Sequence, residues 1–270
     1  DYTATQQIML ADLPLGEGGA DRRVVMQAPK NGFFYVLDAA DGGLISATPF
    51  TAQNWTTGEF DEDGRPVLID EALDLALYAV VPGPTGAHNW HPMAFNPDTG
   101  LVYIPVNEIP FFYDKTRNVD DSKSFWNLGY DAAAGWPMEY PAGTLDVLAD
   151  MDGGSLLAWD PVKAEPRWAV PFALPLNGGV LSTEAGLVFQ GNKFGDLVAY
   201  DAETGERLWS EQLVGNAAAA PMTYEIDGEQ FLSVLSGWGS LSNLVAGFTY
   251  GQAASKEPAR VITFKLGGNE

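Results

Sequence analysis

Residues 196–209 read Asp-Leu-Val-Ala-Tyr-Asp-Ala-Glu-Thr-Gly-Glu-Arg-Leu-Trp. Leu197, Ala199 and Tyr200 belong to a short β run. Asp201 to Gly205 form a turn, with Gly205 free to take the positive φ that closes it. Arg207, Leu208 and Trp209 begin the return strand, so the stretch is a β-hairpin. Weaker copies stand at 156–168 (Leu-Leu-Ala-Trp-Asp-Pro and, further on, Pro-Arg-Trp) and at 33–46 (Phe-Phe-Tyr-Val-Leu-Asp-Ala-Ala-Asp-Gly-Gly-Leu-Ile-Ser). Asp160 and Asp201 lie 41 residues apart, inside the roughly 40–50-residue period of a four-stranded propeller blade. The wider gap from Asp38 to Asp160 requires a long surface excursion.

Short β-rich runs bounded by Gly, Pro, Asn and Asp place the remaining strands. They fall at 7–10, 23–28, 32–37 and 44–50, then at 92–95, 101–106, 155–159 and 167–170. A third set occupies 178–182, 187–190, 196–200 and 207–212, and a fourth 220–224, 229–235 and 260–265. The fold class expected is all-β: a β-propeller with antiparallel blades of four strands, A to D from the axis outward, the fourth blade one strand short. Trp159, Trp168 and Trp209 are expected to be largely buried between neighbouring blades. Insertions interrupt the pattern at 53–84 and 107–154. The first carries an acidic turn at 59–64, an apolar stretch at 73–81 and an expected helix at 70–77; the second is rich in aromatics and Gly. Loops this long are usually functional or covering elements. Three to four blades cannot close a ring, and an open arc would leave unpaired strand edges. The chain, 1–270, is therefore expected to be part of a single larger propeller, with the missing strand supplied by the rest of the molecule.

Composition narrows the function. A net charge of −22 repels nucleic-acid phosphates and anionic lipid, so neither is an expected partner. With no cysteine there is no disulfide, thiolate zinc site or c-type haem attachment in this stretch. No apolar run reaches membrane-spanning length, so no transmembrane segment is expected. The first residue is Asp1, not Met, which reads as a processed or excised piece.

In an antiparallel meander the segment leading into strand A and the B–C turn lie at the same end, and strand A is nearest the axis. Asp1 and Tyr2 precede the first A strand, and Pro29-Lys30-Asn31 is the first B–C turn. Gly86-Ala87-His88-Asn89-Trp90-His91-Pro92 leads into the second A strand and Leu176-Asn177-Gly178-Gly179 into the third. Gly237-Trp238-Gly239 occupies the last B–C turn. A carboxylate, an ammonium, two amides and two indoles thus converge on one end of one axis. Each has a bland reading: a solvated Asp, a surface turn lysine, packing indoles, and two histidines satisfied by the backbone instead of a metal. Only their shared location argues for a site.

At these motifs the sequence resembles the PQQ-dependent alcohol dehydrogenases, the eight-bladed quinoprotein and quinohaemoprotein enzymes. Residues 28–38, 86–93, 100–105, 156–161, 177–191, 197–209 and 236–239 carry the resemblance, in the order and spacing of that family's C-terminal half. The combination His-Asn-Trp-His-Pro-Met at 88–93, with Lys30 and Asn177, is more like the quinohaemoprotein branch than the methanol dehydrogenases. The resemblance implies oxidation of alcohols to aldehydes or ketones with pyrroloquinoline quinone (PQQ) and calcium. By position, Asp1 matches the catalytic base beside the calcium ion and Lys30 the cation at the quinone oxygens. Asn89 and Trp90 match the segment that contacts the cofactor and lines the substrate pocket, and Asn177 and Trp238 match positions near the cofactor edge. It further implies a periplasmic location, a cytochrome electron acceptor, and activity only with the N-terminal half of the propeller. That half holds the family's calcium-binding Glu and Asn, its adjacent-cysteine disulfide and its stacking Trp. The continuation Thr3-Ala4-Thr5 departs from the family's usual acidic or Gly-containing one, and no haem motif occurs. The competing reading is a non-catalytic scaffold or binding propeller, since fold alone does not set function. Asp1, Lys30 and Asn89 on one face favour the enzyme, because a scaffold has no need of them together.

Overall fold

The computed structural model describes residues 2–69, 77–114, 153–237 and 258–267. β1 (Met9–Leu13), β2 (Arg22–Gln27), β3 (Phe33–Asp38) and β4 (Leu44–Pro49) make the first sheet, in that order. β5 (Thr56–Phe60) and β6 (Pro66–Leu68) form a hairpin inside the first insertion, and β7 (Leu77–Val80) follows it. β8 (Ala94–Asn96) and β9 (Leu101–Asn107) open the second blade. β10 (Phe111–Asp114) then pairs back onto β7, joining the two insertions. β11 (Gly154–Asp160) and β12 (Glu165–Phe172) complete that blade. β13 (Val180–Ser182), β14 (Leu187–Gly191), β15 (Asp196–Asp201) and β16 (Arg207–Gln212) are the third. β17 (Met222–Ile226), β18 (Glu229–Ser236) and β19 (Arg260–Lys265) form a three-stranded fourth sheet among the described residues. The pairings are antiparallel throughout, as the meander reading requires.

The three C–D hairpins repeat in detail. Asp38, Asp160 and Asp201 each turn a side-chain oxygen back to accept the amide two residues on, at 2.6, 3.0 and 3.0 Å. Four residues after each Asp the backbone crosses to positive φ, at Gly42 (77°), Ala164 (55°) and Gly205 (74°). Each hairpin also shifts register just before its Asp, at Val36/Leu37, Ala158/Trp159 and Ala199/Tyr200. A bulge there bends the strand and raises its local twist. The second hairpin lacks the Thr-Gly of the third, and Ala164 takes the left-handed conformation in its place.

The core lies between blades, so B and C strands bury both faces. Val102, Ile104 and Val106 of β9, with Leu157 and Trp159 of β11, pack toward Val24, Met26, Phe34 and Val36 of the first blade. The alternate residues Leu101, Tyr103, Leu156 and Ala158 face Val188, Val198 and Tyr200 of the third. Leu197 and Leu213 meet Val234 of the fourth, with Leu232, Ile262 and Phe264 packed against them. Trp159 is 2% exposed and lies 5.8 Å from the Phe34 ring across the blade boundary. The half-buried Trp168 indole crosses the next boundary. Its Nε1 donates to the Ala202 carbonyl, and a Cβ at Gly205 would stand 2.7 Å from its ring.

One expectation is corrected. Trp209 is 38% exposed, touching Phe264 edge-on at 5.3 Å. The strands of the insertions were not legible: Trp55 and Phe60 pack on Phe33, laying β5 and β6 over the first blade. The helix expected at 70–77 lies outside the described residues except for Leu77, which is in β7.

An alanine at positive φ stores about 1 kcal/mol of strain that glycine does not. Ala164→Gly is expected to raise stability by about 0.5–1 kcal/mol despite the loss of one methyl contact, read as a higher urea midpoint at constant m. Gly205→Ala is expected to move the midpoint the other way, because the added carbon also strikes Trp168.

Candidate functional site

The inner ends of the blades are stitched together by backbone hydrogen bonds. Ala87 N–H donates to the Lys30 carbonyl at 2.9 Å, and Asn107 N–H to the Ala87 carbonyl at 2.7 Å. The Asn107 side chain accepts from Leu176 N–H at 2.7 Å. Beside it, the Asn177 side chain accepts from Lys193 N–H at 3.2 Å. Ala217 N–H reaches the Asn192 carbonyl at 3.4 Å, and Asn216 and Gly237 exchange two bonds of 3.0 Å. This path runs unbroken from the first blade's B–C turn to the fourth's, so the segments singled out in the sequence share one end.

The first residues of the chain are tied to the same end. Gln6 Nε2 donates to the His88 carbonyl at 2.7 Å, and Gln27 Nε2 donates to the Gln6 carbonyl at 2.9 Å. The Tyr2 ring lies 5.1 Å from Trp55, whose Nε1 donates to the Asn31 carbonyl. Asp1 and Trp238 lie outside the described residues.

Lys30 is half-buried, and burial lowers the pKa of its ammonium. Its Nζ donates to Thr3 Oγ1 at 3.0 Å. A side chain at Gly86 would come within 2.3 Å of Lys30 Cγ, so this glycine lets the 86–92 segment lie directly on the lysine stem. Asn89, 7% exposed, spends its amide locally: Nδ2 donates to the Thr85 carbonyl at 2.7 Å and Oδ1 accepts from Trp90 N–H at 2.8 Å. That bracket presents Trp90, 44% exposed and stacked on His91 at 4.1 Å. Asn177 is held in the same manner, with Nδ2 donating to the Leu174 carbonyl at 2.8 Å. The uncommitted amide hydrogens and lone pairs of both side chains are what they can offer a ligand.

The histidines are structural among the described residues. His88 Nδ1 meets the Ala28 carbonyl and Nε2 the His91 carbonyl, both at 2.7 Å; a neutral ring donates to one of these at a time. Burial lowers the His88 pKa against the pull of those two carbonyls. Burial, reinforced by repulsion from His88, lowers His91 to about 4. No group of three or more His, Cys, Asp or Glu side chains stands together as a metal site among the described residues.

Sequence reasoning missed four neighbours of the site: Thr3, Trp55, the buried and unpartnered Thr85 hydroxyl, and Lys193. Lys193 was within reach, since it holds the position in the third blade's B–C turn that Lys30 holds in the first.

The family profile "PQQ: Glucose/ethanol/alcohol dehydrogenase, beta-propeller domain" matches residues 71–232, more than half of the chain. The chain belongs to this family. It is 44% identical over 278 residues to a quinohemoprotein alcohol dehydrogenase of Pseudomonas putida, covering 99% of this chain and 38% of that protein. A lupanine 17-hydroxylase [cytochrome c] of a Pseudomonas species is 43% identical over 274 residues, with 99% and 37% covered. The crystal structure of quinohemoprotein alcohol dehydrogenase from Comamonas testosteroni superposes with a TM-score of 0.81 at 40% identity, covering 100% of this chain and 39% of that one. The chain therefore spans under two-fifths of the length of these relatives.

The histidine environment sets a pH dependence. His91 drops from 6.5 to about 4 on folding, so the unfolded chain takes up its proton first. Its contribution to stability is complete above about pH 6.5 and is lost as pH falls toward 4, on the order of 3 kcal/mol in all. His88 moves in the same direction. Unfolding midpoints are expected to fall between pH 7 and 5, and His91→Gln is expected to flatten that slope. A slope unchanged by His91→Gln assigns it to other groups.

Proposed function

We propose that this chain is the C-terminal part of a PQQ- and calcium-dependent alcohol dehydrogenase, which oxidises alcohols to aldehydes or ketones once the N-terminal half completes the propeller. The observation that carries the reading is the contact of the 86–92 segment with Lys30. Gly86 packs on the lysine stem and Ala87 N–H binds the Lys30 carbonyl, which brings a partly desolvated ammonium close to the segment that carries the Asn89 amide and the Trp90 indole. This donor set suits a planar quinone bearing carboxylates: a cation, amide hydrogens, a flat exposed ring and the unpartnered buried hydroxyl of Thr85. A scaffold gains nothing from desolvating a lysine there.

When bound, PQQ supplies the hydride acceptor and calcium an oxygen-held Lewis acid. Asp1 accepts the alcohol proton as general base and is a calcium ligand, the other ligands coming from the N-terminal half. Lys30 holds positive charge at the quinone oxygens, where negative charge develops. Asn89 and Trp90 position the cofactor and wall the substrate, and Asn177 and Trp238 border the cofactor edge. Two features support the partner. The fourth sheet has three described strands, and its outer face exposes Met222, Leu235 and Val261 at 58%, 57% and 66%. The relatives' names support a cytochrome acceptor, and we place the protein in the periplasm on the same family grounds. Among the described residues no helix is long and apolar enough to cross a membrane.

Asp1→Asn in the full-length parent keeps the shape and some calcium ligation but removes the proton acceptor. Turnover is expected to fall by about 10²–10⁴-fold, while the absorbance of bound quinone stays. Unchanged turnover removes Asp1 from the chemistry, and a wild-type parent that takes up no PQQ overturns the reading as a whole.

A further inference from the structure

Four lysines lie among the described residues: Lys30, Lys163, Lys193 and Lys265. Lys163 pairs with Asp160 at 3.3 Å and Lys265 with Glu229 at 2.5 Å, both near the surface. The two in B–C turns differ. Neither Lys30 nor Lys193 has a described carboxylate partner, and both ammonium groups are partly desolvated by burial. Lys193 cannot be explained by its own turn. The carboxylate nearest in sequence, Asp196, is taken by Asn192 Nδ2 at 2.9 Å. Its backbone is also fixed, because Asn177 Oδ1 holds Lys193 N–H while Asn177 Nδ2 holds Leu174. Asn192 adds two bonds across the turn, accepting from Phe194 and Asp196 N–H at 2.9 Å each.

The geometry points to a second anion subsite: we propose that the Lys193 ammonium binds a carboxylate at the inner end of the propeller, across the arc from Lys30. This deepens the proposed function and rests on it. A half-buried lysine without a counter-ion is unfavourable in the free protein, because desolvation weakens the charged form and nothing offsets it. A ligand carboxylate removes that cost. The rest of the chain makes the local cation necessary. At a net charge of −22 the long-range field repels any anionic ligand, and only a positive group at contact distance, in a low-dielectric setting, overcomes it. Phe194, next in the chain, is 64% exposed and offers apolar surface beside the charge. The chemistry selected is therefore a carboxylate on a hydrocarbon or aromatic frame. It has two sources at this site: a carboxylate of the quinone cofactor, or an alcohol substrate that bears an acid group.

The test uses the full-length parent as wild type, Lys193→Met and Lys193→Arg. Methionine keeps the stem and removes the charge; arginine restores it. One arm measures PQQ affinity on reconstitution of the apo-protein with calcium. The other, at saturating PQQ, measures kcat/KM for a straight-chain primary alcohol and for the ω-hydroxy carboxylate of equal length. A charged hydrogen bond is expected to carry roughly 10-fold or more. If the quinone is the source, Lys193→Met weakens PQQ affinity by that factor and leaves the substrate ratio in place. If the substrate is the source, the acid-to-neutral ratio falls by that factor at unchanged PQQ affinity. Recovery in Lys193→Arg separates charge from packing in either case. Affinity and ratio both within twofold of wild type overturn the subsite while leaving the proposed function standing. A wild-type parent that binds no PQQ overturns both.

Discussion

Where the blades meet near the axis, the backbone of one approaches the next so closely that no side chain fits between them. A Cβ on Gly178 or on Gly191 would stand 2.2 Å from the Ala217 carbonyl oxygen, and one on Gly86 2.3 Å from Lys30 Cγ. These distances are well inside van der Waals contact, so the glycines are what allow the inter-blade hydrogen bonds to form. The order of site segments along the inner end follows from that approach. Lys30 sits under Gly86 because the first B–C turn and the lead into the second A strand share a hydrogen bond. Lys193 sits beside Asn177 because the lead into the third blade's A strand is bonded to that same blade's B–C turn. Widening any of these crossings moves a candidate ligand group relative to its neighbours.

The outer parts of the blades solve a different problem, how to bury both faces of a single sheet. Successive residues of β9 and β11 alternate between the first and third blades, so a continuous apolar run such as Leu101 to Ile104 is satisfied on both sides. Polar anchors fix the angle between blades where apolar packing alone would let them slide. Tyr103 Oη and Trp168 Nε1 both donate to the carbonyl of Ala202, at 2.9 and 3.1 Å. That carbonyl belongs to the hairpin turn whose repetition first revealed the architecture. The motif thus closes its own blade and receives the previous one.

Legibility in the sequence tracks repetition. The blade strands were readable because each is a short β-branched or aromatic run with turn residues at fixed offsets, and four blades give four chances to find the register. β5, β6, β7 and β10 were not readable, since no period links them to the blades, and β7 and β10 find their partners in separate insertions. Trp209 was misjudged because its local motif is the same as that of Trp168, while burial depends on the turn of the next blade. The site was legible as a set of positions: topology alone put Lys30, Asn89, Trp90 and Asn177 at one end. What topology could not show was how the amides are spent. Asn89 and Asn177 look like ligand groups in the sequence, yet each is first a clamp on its own loop. Lys193 needed the comparison of equivalent turns, because an isolated lysine between Asn and Phe gives no local signal.

The same topology separates charge. C–D turns and B–C turns lie at opposite ends of an antiparallel blade; the repeated Asp stands at one end, and Lys30 and Lys193 at the other. Asp38, Asp160 and Asp201 occupy C–D turns, where each carboxylate accepts backbone amides; those bonds, with the Arg22 guanidinium, hold Asp38 below the usual carboxylate range. Hydrogen bonds from the Thr204 hydroxyl and amide do the same for Asp201. These acids make the turns, and Asp38 and Asp160 are offset there by Arg22 and Lys163. Lys30 and Lys193 occupy B–C turns, where partial burial weakens solvent screening. Two half-buried lysines thus stand at the inner end of a chain whose net charge is −22. The long-range repulsion is a property of the rim, whereas the attraction acts at contact, where the dielectric is lower and each charge counts for more.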